Sequence, residues 1–397
     1  MTAMEHSAAN GQRAASLLYD KRARAVFIQI FALAALFAFL AYIVSNTISN
    51  LRLLGVETGF GFLADPASYD INQTLIDYTS RSSHGRAAVV GILNTLLVAF
   101  CGIVLATILG FVAGVLRLSN NWLVSRLVYC YIEFTRNVPL LLQILFWHGL
   151  IVHTLPRPKQ AMEPASGFFL SNRGFSIPRP DFEPGFFAVV IAFLAAVAGA
   201  IWFARYAKRV QAATGKIYPV FTINLGLIVG LPLIVFFLAG VPVVLDWPEL
   251  RGFNFRGGVT VRPEFMALWF ALSVYTAAFI AENVRAGIQA ISHGQTEASY
   301  ALGLRPNWTM RLVILPQALR VIIPPLISQY LNLTKNSSLA IAVGYMDIVA
   351  TVGGITLNQT GRALECMAIV LTLYLTFSLL ISAGMNVYNK RVALVER

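Results

Sequence analysis

Charge is scarce in this chain. Asp, Glu, Lys and Arg make up 12% of its 397 residues, about half the share of an ordinary globular domain. A soluble fold with a charged shell is thereby excluded. Cysteine is scarcer still. Cys101, Cys130 and Cys366 each lie in an apolar run, without the paired spacing of a disulfide or metal site, and each reads as a small buried hydrophobe. His148 and His153 have no second donor at metal spacing, so they read as interfacial polar residues and no metal is expected. The phosphate loop G-x-x-x-x-G-K-[ST] is missing, so this chain cannot bind and split ATP through one. It also lacks a nucleophile elbow, an H-E-x-x-H motif and a paired-carboxylate arrangement, and no catalytic residue is assigned. There is no internal repeat of fixed period.

What the chain has is apolar length. It is 57% hydrophobic with a mean hydropathy of +0.69, and runs of about twenty apolar residues recur. We read an all-α polytopic membrane protein of about eight spans. The first is 25–44, and the next two are 89–116 and 127–152. Two more, 185–203 and 219–245, fall inside a block from 153 to 264. The last three are 265–284, 318–343 and 364–387. The first run is too long for a cleaved leader, and SNTISN after it offers no small-x-small cleavage site. These limits set the domains. An N-terminal segment (1–24) leads to an extra first helix (25–44) and a polar loop (45–88). Then come a core part (89–152), an insertion with two further helices (153–264), a second core part (265–390) and a tail (391–397).

The net charge of +12 is a matter of membrane sides rather than nucleic acid. Segments on the side of the N-terminus carry 17 Lys and Arg with four acids; the opposite segments carry 11 with 11 acids, although they are longer. Both termini are therefore expected in the cytoplasm, and the loop 288–316 with them.

That loop contains the stretch the rest is organised around, EASYALGLRPNWTMRLVILP, residues 297–316. It reads as a short helix with Thr296 as cap, Glu297 in the first turn, Gly303 in a left-handed closing position and Pro306 barring continuation. Ala298, Ser299 and Ala301 leave a smooth face suited to a groove on a partner. The stretch resembles the EAA loop of bacterial ATP-binding-cassette importer permeases. Glu297-Ala298-Ser299, Gly303 and Val313-Ile314-Leu315-Pro316 match E-A-A, G and I-x-L-P at the family spacing; Ser299 for Ala and Val313 for Ile depart mildly. The resemblance implies that Glu297, Ala298, Ser299, Gly303 and Pro316 couple the chain to an ATPase subunit.

Four clusters set polar groups within or beside apolar runs: Asn94-Thr95, Arg136-Asn137 with Pro139 and Gln143, Glu282 with Arg285 and Gly287, and Lys335-Asn336 with Ser338. An ionisable group inside a span costs at least about 2.5–3.5 kcal/mol, so it faces a bundle interior, a partner or a water path. A basic group on that path suits the carboxylate every amino acid carries. Pro139 would break its helix and free carbonyls. The bland alternatives are an Arg136–Glu133 ion pair, an internal Glu282–Arg285 pair, and a snorkelling Lys335. These clusters are similar to signatures of the polar-amino-acid branch of the same permeases, with Asn137 for Gly, Val138 for Thr, and Ala286 interposed before Gly287.

The likeness covers about 86–152 and 265–390. With the extra helix and the insertion, it is greatest to the larger Q-type subunit of the general L-amino-acid importer and its glutamate/glutamine/aspartate relatives. It implies a type I importer core in the bacterial inner membrane. It also implies an ATPase dimer that binds ATP and Mg, a second and different permease subunit, and a periplasmic amino-acid-binding protein. The residues implied along the substrate path are Arg136, Asn137, Pro139, Gln143, Glu282, Arg285, Lys335, Asn336 and Ser338. The rival readings are an ion-coupled secondary transporter, against which no inverted repeat of broken helices is found, and an importer for another small polar solute such as an opine.

Overall fold

A computed structural model describes residues 21–53, 55 and 59–392. The expected N-terminal segment 1–24 and tail 391–397 lie largely outside them. Ten helices matter here: α1 (Lys21–Leu53), α2 (His84–Arg117), α3 (Trp122–Asn137), α4 (Leu140–Thr154), α5 (Phe186–Thr214), α6 (Val220–Leu238), α7 (Pro263–Gln289), α8 (His293–Ala301), α9 (Leu315–Asn336) and α10 (Ala363–Val392). Among the described residues seven helical segments are long and apolar enough to cross a membrane, and α3 with α4 are a further apolar pair bent by 107° at their junction. With that pair read as one span, the eight expected segments are accounted for. The one expected as a single run over 127–152 is broken, and the first helix runs on to Leu53, into the expected loop.

The chain divides into two compact units, residues 1–92 with 348–377 and residues 93–347 with 378–397. In the first, Phe62, Ile348, Val352, Cys366 and Val370 form a core. The segment after α1 folds down onto its own unit. Tyr69 Oη lies 3.2 Å and His84 Nδ1 3.0 Å from Thr356 Oγ1, Tyr78 donates to the Tyr69 carbonyl (2.8 Å), and Gly59 N donates to Glu365 (2.7 Å). The Tyr78 hydroxyl is pushed up to about 12, chiefly by burial, so it stays a donor.

In the second unit α7 is the axis. Pro263 opens it at a position where a missing N–H costs nothing. Its alanine-rich face then buries Leu268, Leu272, Ile280 and Val284 against α2, α4 and α9. Small residues permit the close approach that membrane helices need in place of a hydrophobic drive. A Cβ on Gly110 would sit 2.5 Å from Ile280 Cβ, and one on Gly114 2.8 Å from the Ala281 carbonyl oxygen. Gly287 makes the same allowance for Ile322 of α9, which gives that motif glycine a packing reason.

The insertion is a pair of helices, α5 and α6, packed on each other, with alanines 192, 196, 200 and 207 buried along α5. Its polar stretches add eight short strands to the expected helices. Strands β1 (Met162–Ala165), β2 (Phe168–Ser171) and β3 (Gly174–Ile177) precede α5 with β4 (Arg179–Phe182); β5 (Val243–Asp246), β6 (Glu249–Arg251), β7 (Asn254–Arg256) and β8 (Val259–Val261) follow α6. Antiparallel pairing of β3 with β8 and β4 with β5 closes the two stretches on each other. The strand region leads into the start of α7, while α8 comes after its end.

Of the three cysteines only Cys366 is buried; Cys101 is half-buried and Cys130 exposed on α3. The reading of Cys130 as a buried hydrophobe is corrected: an apolar run in a membrane protein turns outward as readily as inward.

Candidate functional site

The helix α8 starts at His293, with Ser292 as its N-cap residue and no side-chain cap. Thr296 therefore lies inside it and Glu297 beyond its first turn, which corrects the expected start. Its end is as expected. Gly303 takes φ +76°, Leu304 N donates to the Ser299 carbonyl (3.1 Å), and Gly303 N donates to the Tyr300 carbonyl (2.9 Å). These two bonds are the Schellman closure, which satisfies carbonyls a helix end otherwise leaves open. The spacing from Ser299 to Gly303 follows from it. Ser299 is buried and donates to the Gln295 carbonyl (2.6 Å), and Gln317 Nε2 donates to Gln295 Oε1 (3.2 Å), linking α8 to α9. Glu297, Ala298 and Pro316 are exposed, beside exposed Leu302, Trp308 and Leu312. A Cβ on Gly303 would meet nothing within 4 Å. The loop thus offers an apolar, sterically open surface with a fixed end.

The second cluster is built around the break between α3 and α4. Val138 and Pro139 are both extended (ψ 127° and 133°), and Pro139 heads α4. Gln143 is buried and spends its amide on the opening, Nε2 donating to the carbonyls of Thr135 (2.9 Å) and Val138 (3.0 Å). The proline frees carbonyls and the glutamine answers them. Asn137 Nδ2 donates to the Glu133 carbonyl (2.8 Å). Arg136 forms no ion pair with Glu133 among the described residues; its guanidinium lies 5.3 Å from the Phe279 ring centre, over α7.

Glu282 and Arg285 do pair, Arg285 Nε reaching both carboxylate oxygens (3.1 and 3.0 Å) and Arg285 also donating to Gln289. Arg136 rests on Phe279, about one turn before Glu282, so the second and third clusters both lie on the half of α7 nearer α8.

Lys335 lies elsewhere. It ends α9, roughly 30 Å along the helix from Leu315, where the helix dipole favours a cation. It is exposed and has no carboxylate partner among the described ion pairs. Asn336 is half-buried, and Ser338 donates to the Lys335 carbonyl (2.8 Å) as the chain tightens into a 3₁₀ turn over Ser337–Val343. The first cluster secures the segment after that turn: buried Asn94 donates to the Met346 carbonyl (2.9 Å) and Tyr345 to the Asn94 carbonyl (3.0 Å). Beside them Asp347 is fully buried. The sequence alone places it among the loop acids; its position in Gly-Tyr-Met-Asp between apolar runs is the one signal that points inward.

Known proteins bear on these features. A family profile described as "Binding-protein-dependent transport system inner membrane component" matches residues 216–394. The general L-amino acid transport system permease protein AapQ of Rhizobium johnstonii is 49% identical over 96% of this chain and 95% of that protein. The glutamate/glutamine/aspartate/asparagine transport system permease protein BztB of Rhodobacter capsulatus is 49% identical over 98% of both. Among solved structures, a chain of an amino acid ABC transporter crystallised with histidines covers 78% of this chain and 95% of its own length at 20% identity, with a TM-score of 0.46. The extra first helix and the insertion fall within the regions shared with AapQ and BztB, since the matches leave almost nothing out. The chain belongs to the permease subunits of amino-acid ATP-binding-cassette importers, multi-pass proteins of the inner membrane that work with a separate ATPase.

Proposed function

We propose that this permease moves L-amino acids of broad, or acidic and amide, type inward by alternating access. The observation that carries the mechanism is the closed end of α8 at Gly303, with an open apolar surface around it. An ATPase cleft that grips Ala298 and the residues about it can push on α8. The Gln295–Gln317 bond and the continuous run into α9 then pass that displacement to the core. Glu297, Ala298, Ser299, Gly303 and Pro316 are the coupling residues of this reading. ATP and Mg bind the ATPase dimer, not this chain.

Both termini face the cytoplasm in this proposal, and the strand region of the insertion faces outward. A periplasmic amino-acid-binding protein delivers cargo on that outer side, and a second, different permease subunit completes the path. Arg136 and Lys335 contact cargo at separate depths, each offering a cation to the carboxylate. Pro139, Gln143 and Asn137 shape the break that aims Arg136, Glu282 and Arg285 set the local field, and Asn336 and Ser338 frame Lys335. Uptake of labelled amino acids into proteoliposomes holding the chain and its co-purifying subunits tests this, with periplasmic extract outside and ATP inside. Uptake that needs both ATP and extract is expected. Uptake driven by an ion gradient without ATP would overturn it.

A further inference from the structure

Arg157, Lys159 and Arg173 surround a cavity of about 600 Å³ that no acid lines. They come from two separate segments, the turn after α4 and the β2–β3 connection, so chain proximity does not explain their meeting. Lys159 Nζ lies 4.9 Å from the Phe253 ring centre on the cavity wall. None of the three is in an ion pair among the described residues; four acids of the insertion are engaged elsewhere, and Glu264 lines a neighbouring cavity with Arg173 and Arg262. Asp181 and Asp246 hold Arg179, Glu249 holds Arg251, and Glu163 accepts from Gly167 N. Three like charges around one hollow repel one another, and an anion inside it removes that cost.

We infer that this hollow binds the phosphate of an anionic phospholipid headgroup. Depth favours that source of phosphate. Leu155, on the wall, immediately follows the last residue of α4, so the cations stand at the end of a membrane-crossing pair of helices, where headgroups lie. Phe253, 75% exposed, gives the wall an apolar ring that lipid can cover. Lys and Arg side chains held near a membrane surface attract anionic headgroups. The inference rests on the permease reading only in needing α4 to reach the membrane surface.

The test uses the purified importer complex in bilayers of equal phosphatidylglycerol and phosphatidylethanolamine, with retained lipid read by native mass spectrometry. The intact protein should keep phosphatidylglycerol selectively. Arg157→Gln with Lys159→Gln and Arg173→Gln should weaken retention on the order of a hundredfold, each change alone about fivefold. The charge-keeping pair Arg157→Lys and Arg173→Lys should retain it, which separates lost charge from lost fold. Equal retention by the triple variant would overturn the inference. So would displacement of the lipid by millimolar inorganic phosphate, which would make this a soluble-anion site. A fall in binding-protein affinity with lipid retention unchanged would point instead to an acidic protein surface and refute the lipid. Uptake is not the readout, so failure of the transport reading would not be mistaken for failure here.

Discussion

At the scale of single residues, Gln143 shows how a motif position can act on the backbone. It is buried within an apolar helix, and its amide nitrogen donates to two carbonyls at the break. Removing those bonds leaves two buried acceptors unanswered, at about 1–3 kcal/mol each. Gln143→Leu keeps the volume roughly and deletes the bonds, so the variant should lose thermal stability in detergent by about 2–6 kcal/mol on that basis. Gln143→Glu should fare worse than wild type as well, because a carboxylate offers acceptors where donors are needed. Unchanged stability, with only a raised KM for uptake, would mean that Gln143 serves cargo and not the break. Arg136 differs. Its side chain is exposed and rests on Phe279, so its substitution acts on what lies across from it rather than on the fold.

At the scale of elements, α8 depends on its closing residue. A left-handed residue other than glycine costs about 1–2 kcal/mol, a shift of roughly 5- to 30-fold toward a frayed end. Gly303→Val should therefore cut ATP-driven uptake while the amount of protein in the membrane holds. Gly303→Asn, which tolerates the left-handed region, should keep most of it. Equal loss in both would show that space for the partner, not backbone shape, is what glycine supplies. This end is legible in the sequence because glycine, its offset from the helix and the nearby Pro306 all encode local geometry. The helix start is not: Ser292 and Thr296 both suit a cap by residue type, and local sequence does not choose between them. Pro139 announces a break, but the 107° bend needs the packing of α4 on α7 to set it. The strands of the insertion stay hidden because each is three or four residues long and several pair with partners up to about eighty residues away, across two helices.

At the scale of the whole molecule, the count of basic residues and the path of α7 agree on one arrangement. The excess of Lys and Arg is the ground on which α8 is proposed to lie on the cytoplasmic side. One helix length of α7, about 40 Å, then separates α8 from the strands that precede Pro263. The two ends of α7 should therefore answer to reagents on opposite sides of the membrane. A single cysteine introduced at Leu302, 82% exposed next to Gly303, should react with an impermeant maleimide only in inside-out vesicles. One introduced at Leu250, on an exposed strand of the insertion and outside the proposed lipid hollow, should react only in right-side-out vesicles. Cys101, Cys130 and Cys366 would first be changed to serine or alanine, Cys130 above all, because it is exposed on α3. The reverse pattern would put α8 outside, where no ATP-hydrolysing subunit works, and would refute the coupling role of Glu297 to Gly303. Labelling of both positions from one side would mean that α7 does not cross the bilayer at all. The expected pattern would support the proposed coupling, in which α8 on the cytoplasmic side passes its displacement to the core through α9.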